Sequence, residues 1–163
     1  MARRRILGID PGTGICGFGV ISTATHQKTK LLTAGVITTP AHTPLADRLL
    51  DIYDSLQQII DETKPDIVSI EKLFFNTNIT TGITVAEARG VCLLVAKKNG
   101  LPIFEYTPLQ IKKTLTGYGR AEKKQMQEMV RNYLGMDKLI KPDDAADAVA
   151  AAITHALMTH LDQ

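Results

Sequence analysis

Asp10 closes a short apolar run, residues 5–10, and is followed at once by Pro11, Gly12, Thr13 and Gly14. Glycines behind an acid clear side chains from the turn, so a phosphate oxygen or a metal ion can approach the carboxylate. A hairpin turn whose Asp bonds its own backbone would use the same residue types. Glu71 ends a second apolar run, residues 66–71, and so projects from the edge of a core, where an unpaired carboxylate is costly. Asp143, Asp144 and Asp147 open an alanine-rich stretch, and the spacing of Asp144 and Asp147 puts both on one helical face. The dipole at a helix start accounts for one acid there more easily than for three. Asp143, directly after Pro142, suits an N-cap. Together Asp10, Glu71, Asp144 and Asp147 form a candidate set of oxygen ligands for a hard divalent cation, Mg2+ first and Mn2+ as a substitute. Two such ions about 4 Å apart can activate a water and steady the leaving oxygen of a phosphodiester, with inversion at phosphorus. Asp10 is expected to bridge them. His26, His42, His155 and His160 show no ligand spacing for zinc, and for His155 and His160 a helix surface is expected.

These acids lie far apart in the chain, so the fold must gather them. Residues 5–10, 18–21 and 31–38 read as strands with short polar connections, an antiparallel meander. Thr43 and Pro44 read as the N-cap and first residue of a helix, with Leu45, Leu49, Ile52, Leu56 and Ile60 at helical spacing. Pro65 stops it. Residues 66–71 form a fourth strand apolar enough to be central, 84–99 a second helix ending at Gly100, and 102–106 a fifth strand. Helical patterns follow at 108–116, 122–134 and 142–161. The expectation is one α/β domain over residues 1–163, a five-stranded mixed sheet flanked by helices. Ala148, Ala150, Ala151 and Ala152 would let the final helix lie close on that sheet and carry its acids towards Asp10 and Glu71.

Composition excludes several classes. With 163 residues, 44% apolar and 22% charged, the chain is near the globular average and is not collagen-like, disordered or a disulfide scaffold. No uninterrupted apolar run approaches the roughly 18 residues of a membrane helix. The basic start Arg3-Arg4-Arg5 leads into an apolar stretch that ends at Asp10, too short for a secretory signal. Two cysteines, Cys16 and Cys92, fit a reducing cytoplasm. Charge is uneven: between Lys97 and Lys141 there are ten Lys and Arg against four Asp and Glu, while the remainder carries nine against thirteen. A basic half beside carboxylates suits a polyanion partner. Lys113, Arg120 and Lys124 lie in or beside the loop Gly117-Tyr118-Gly119-Arg120, where they could add phosphate contacts. Phe74, just past the fourth strand, is placed to offer its ring to unstacked bases, whereas Phe75 reads as core.

The segments Ile6-Leu7-Gly8-Ile9-Asp10-Pro11-Gly12, Ile70-Glu71 with Phe74, and Asp144-Ala145-Ala146-Asp147-Ala148 resemble, in order and over essentially the whole chain, the RuvC family of bacterial Holliday-junction resolvases. The resemblance implies the RNase H-like fold and an acidic metal site of Asp10, Glu71, Asp144 and Asp147. It implies a homodimer that nicks two opposed strands of a four-way DNA junction symmetrically, leaving ligatable ends, in recombination and repair. It also implies base contacts by Phe74 near the crossover, Lys112 and Lys123 near the cut phosphate, a short thymine-containing preference, and work alongside the branch-migration proteins RuvA and RuvB. Val85, Val91, Leu94 and Val95 with small Gly82, Ala86 and Gly90 give the second helix a face for the sheet and a face for another helix, as a homodimer requires.

Three other readings compete. Nucleotide-clamping sugar kinases also place an Asp and glycines after a first strand, but need a second lobe for which this length leaves no room. RNase H-like nucleases of ribosomal RNA share the opening strand and would cut RNA. A non-cleaving junction-binding module would have no use for carboxylates beside phosphates.

Overall fold

The computed structural model describes residues 3–73 and 79–161. Residues 74–78, and with them the expectations for Phe74 and Phe75, lie outside the described residues, as does the side chain of His160. Strands β1 (Arg4–Asp10), β2 (Ile15–Ala24) and β3 (Gln27–Thr38) form the antiparallel meander. Helix α1 (Leu45–Thr63) leads to β4 (Ile67–Glu71), which pairs parallel with β1, and α2 (Ile79–Lys98) leads to β5 (Ile103–Tyr106), parallel to β4. Helices α3 (Pro108–Thr116), α4 (Lys123–Leu134) and α5 (Asp143–Leu161) follow. The sheet order β3-β2-β1-β4-β5 puts β1 at the centre.

Side chains alternate along a strand, so a strand covered on both faces must be apolar throughout. On β1, Ile6 joins the core under α5 with Ile153 and Val149, while Leu7 and Ile9 join the other core with Ile52 and Leu56 of α1 and Val95 of α2. The five-stranded mixed sheet flanked by helices is therefore the architecture the alternation demands.

Several boundaries and roles differ from the sequence reading. The second and third strands are longer, because hairpin pairing carries polar residues such as Ser22 and Lys30 into the ladder. Pro44, not Thr43, is the N-cap of α1; the Thr43 hydroxyl donates instead to the Pro40 carbonyl at 2.7 Å, closing the preceding turn. Helix α2 begins at Ile79, five residues before the expected start. Thr80, Thr81, Ile83 and Thr84 are β-branched and weak helix formers, so that first turn is invisible to propensity. Asp143 is the first residue inside α5 and not its N-cap, since the Ala145 and Ala146 amides donate to the Pro142 carbonyl. His155 is buried and not on a surface. Its Nδ1 bonds the Tyr106 hydroxyl at 2.7 Å, its ring lies 4.3 Å from that of Phe104, and burial holds its pKa below the ordinary value.

Helix α2 is long and apolar in spite of the charged residues that interrupt it. Its most apolar 18-residue window has a mean hydropathy of 1.5, long and apolar enough to cross a membrane by length and composition. Glu87 and Arg89 stand at its middle, and Ala88, Cys92, Val95 and Ala96 pack on the protein core. Its outer side leaves Ile79, Ile83 and Leu94 at 70%, 51% and 60% exposure.

Candidate active site

The acids converge because α5 rides directly on the sheet. A Cβ on Gly8 of β1 would strike the Ala148 carbonyl, and one on Gly17 of β2 the Asp144 carbonyl. With those positions bare, and with Ala145, Ala148 and Ala152 on the helix side, backbone lies against backbone. The Ser69 hydroxyl of β4 donates to the Ala151 carbonyl at 2.6 Å and fixes the crossing. The sequence showed the alanines. It did not show that the sheet supplies the matching clearance, although Gly8, Gly17 and Gly19 alternate in β1 and β2 opposite the helix.

One consequence is that Asp10, at the end of β1, meets Asp144 and Asp147 in the first turns of α5: one carboxylate oxygen from each lies within 4.8 Å of the others. This is a possible acidic metal-binding triad. Glu71, at the end of β4, lines a small concavity with Asp10 but stands outside this triad. Burial, then the charges of Glu71, Asp147 and Asp144 and the Cys16 thiol, push the Asp10 carboxyl up to about 8. Burial, then the charge of Asp147, also raise Glu71, against the pull of Lys112. Burial raises Asp147, with Lys123 opposing and Asp144 and Asp143 adding to the rise. Half-buried carboxylates crowded in this way cannot all ionise unless positive charge joins them. The donors are all carboxylate oxygens, so the residues fit a hard divalent cation.

The basic residues divide. Lys112 of α3 and Lys123 of α4 line, with Glu71 and Asp147, a concavity of about 250 Å³ beside the acids. Thr107 caps α3 through a reciprocal bond pair with Gln110, and the Glu122 amide donates to the Gln125 side chain at 2.9 Å ahead of α4, so Lys112 stands one turn beyond a fixed helix start and Lys123 is the first residue of the next helix. Lys123 lies 3.2 Å from Asp143, which also accepts from Gln127 and lies 3.7 Å from Lys141. Asp143 is thus turned to these partners, and the Lys123 bond holds its carboxyl below the ordinary value. Arg120 and Lys124 line a different, open concavity with Tyr118 and Gln125, and exposed Lys113 lines neither.

The turn after Asp10 is braced by residues the sequence reading passed over. The Thr13 hydroxyl donates to the Thr84 carbonyl of α2 at 2.7 Å, Thr39 donates to the Thr13 carbonyl at 2.6 Å, and Arg48 donates to the Thr39 hydroxyl at 2.9 Å. Isolated threonines in a loop carry no periodic signal by which to find them.

Residues 6–155 match the family model described as "Crossover junction endodeoxyribonuclease RuvC". The chain belongs to the RuvC family. A RuvC of Desulfitobacterium hafniense is 51% identical over 156 residues, covering 96% of this chain and 94% of the relative. The structure of Thermus thermophilus RuvC in complex with a Holliday junction substrate superposes with a TM-score of 0.92 at 32% identity, over 98% of this chain and 96% of that one. A yeast mitochondrial Holliday junction resolvase, 15% identical, shares the RuvC fold with a TM-score of 0.68 over 98% of this chain and 83% of its own.

Proposed function

We propose that this chain, as a single RNase H-like domain, resolves four-way DNA junctions by metal-dependent symmetric nicking of two opposed strands. The convergence of carboxylates from the ends of β1 and β4 and the start of α5, in a member of the RuvC family, carries the reading. Asp10, Glu71, Asp144 and Asp147 would hold Mg2+, two ions by preference, with Mn2+ accepted. Bound there, the cation would acidify a water and offset charge on the phosphoryl oxygens. The side chains do the rest. Burial of the carboxylates excludes bulk water, and their oxygens orient the cleft toward a phosphodiester. Lys112 and Lys123, on the wall shared with Glu71 and Asp147, receive the cut phosphate. Arg120 and Lys124 hold the neighbouring duplex backbone, Lys113 adds charge to the same approach, and Phe74 stacks on bases at the crossover.

Two opposed cuts need two copies of the site. The exposed line Ile79, Ile83 and Leu94 of α2, with exposed Gly90 and half-buried Ala86 at the same helical angle, supports a homodimer through this helix. RuvA and RuvB are the expected partners, and the cytoplasm, where both thiols would stay reduced, is the expected compartment.

The deciding experiment is cleavage of a labelled mobile four-way junction in Mg2+ by wild type and by Asp10→Asn, with linear duplex as control. Symmetric nicks on the junction alone, abolished in Asp10→Asn while binding persists, are the expected result. Binding without cutting in either metal, across junction sequences, would make the protein a binding module; cutting of RNA instead would make it an RNA nuclease.

A further inference from the structure

Pro11 breaks the sheet where the site begins. Along β4 the peptide groups alternate in direction: Val68 N–H donates to Pro102 at 2.9 Å and Lys72 N–H to Tyr106 at 2.8 Å, both toward β5. Residues 67, 69 and 71 therefore face β1, whose register with β4 runs to the pair Ile9–Ile70. The next rung would be an amide of residue 11 donating to the Glu71 carbonyl. Proline has no N–H, so the ladder cannot supply it, at the residue whose side chain joins the acids.

Arg89 of α2 stands in that gap. Its Nε lies 3.4 Å from the Glu71 carbonyl, and its guanidinium is gripped from the other end by Glu105 of β5 at 3.0 Å. Its side chain is 16% exposed, and Asp10, Pro11, Glu71 and Val85 line the same small concavity. Ile70 pairs with Glu105 across the sheet, so Arg89 staples the ends of β4 and β5 to α2. One planar fork reaches both acceptors, which a lysine ammonium in the same place cannot do with the same geometry.

We propose that Arg89 is a positioning residue for cleavage, standing in for the missing Pro11 donor at the Glu71 carbonyl and so setting the direction of the Glu71 carboxylate toward the cation. The role rests on the junction-nuclease reading above. Glu105 neutralises the guanidinium, and Arg89 acts on Glu71 through the backbone; Lys112 is the cation that draws on the Glu71 carboxyl.

The test uses the full chain. Mn2+ binding without DNA is measured by calorimetry, junction binding without metal by gel shift, and junction cleavage in Mg2+, for wild type, Arg89→Lys, Arg89→Gln, Glu105→Gln and the double variant Arg89→Gln with Pro11→Ala. Removing a partner that orients a metal ligand lowers metal affinity or activity by about 10–100-fold. Both Arg89 variants should fall in that range for Mn2+ affinity and cleavage while junction binding holds, and Glu105→Gln should lose less. Pro11→Ala returns an N–H opposite the Glu71 carbonyl and should restore part of the Mn2+ affinity, a rescue that a merely structural arginine would not show. Folded Arg89 variants with wild-type Mn2+ affinity overturn the proposal, as does a cleavage defect that Pro11→Ala leaves untouched. If wild type itself cuts no junction, the functional reading fails, and the Mn2+ measurements still decide the role of Arg89.

Discussion

Helices α2 and α5 flank the same sheet from opposite faces and are both largely apolar, yet they are used in opposite ways. In α5 nearly every described side chain from Ala145 to Ala156 is buried, over strands from which glycine has removed the Cβ atoms. In α2 the buried residues are four, Ala88, Cys92, Val95 and Ala96, and an isoleucine and leucine line faces outward. Small side chains met by a matching absence bring backbones together and fix the acids. Large apolar ones on the outer side of α2 stay exposed among the described residues. The difference shows that apolar content alone does not decide which helix is core; complementarity with the facing strand does.

The largest expected effect comes from removing that complementarity. Gly8→Val places two methyls and a Cβ against the Ala148 backbone. Overpacking costs about 1–3 kcal/mol when side chains can yield, and more where backbone is the obstacle. Thermal melts should show a strongly destabilised fold, and any folded fraction should fail to cut junctions because Asp144 and Asp147 have moved away from Asp10. If Gly8→Val retains both wild-type stability and cleavage, the close crossing is not what gathers the acids.

Next comes the outer face of α2. Ile83→Glu with Leu94→Glu should leave the melting temperature near that of wild type while converting a dimer to a monomer in sedimentation, with paired nicking lost. A monomeric wild type would reverse that side of the comparison.

A third expectation concerns pH. Asp10 has an ordinary pKa of 3.8 and sits near 8 in the fold. A carboxyl raised in the folded state stabilises the fold fully below its unfolded value, and that contribution is lost as pH rises through the folded value. Glu71 and Asp147, also raised, act with the same sign. In chelator the melting temperature should therefore fall between about pH 4 and 8, and Mg2+ should flatten the slope by replacing the protons. A metal-free melting temperature that rises across this window would contradict the crowding of the acids. The smallest effect belongs to Thr107→Ala, which removes the α3 cap at a cost of about 1 kcal/mol in chemical denaturation and loosens the turn carrying Lys112.

Much of this arrangement is legible in the residue pattern. Asp10 and Glu71 could be singled out because each ends a continuous apolar run, and Asp144 with Asp147 because a three-residue spacing defines a helix face. The antiparallel pairing of the first three strands followed from their short connections, whereas the full strand order did not. What escaped shares one cause: the information lies in a facing element. His155 looked like a surface residue because α5 is apolar all round and its periodicity gives no outside. Gly8 and Gly17 have meaning only beneath Ala148 and Asp144. Thr13 and Arg89 act through backbone carbonyls, which leave no mark on the residue types that own them. Asp143 resembled a cap until Lys123 and Gln127 claimed its carboxylate.

The acids that meet at the site come from positions 10, 71, 144 and 147, and the two that share a helix are made more than seventy residues after Glu71. A domain generally folds as a unit, and the sheet face that carries Ile6, Ile21 and Ile67 packs on α5, so the helix that closes this core is also the one that brings two acids to Asp10. Until that helix docks, Asp10 has neither Asp144 nor Asp147 beside it. Any change that loosens the seat of α5 on the sheet would therefore weaken the core and scatter the acids in one step.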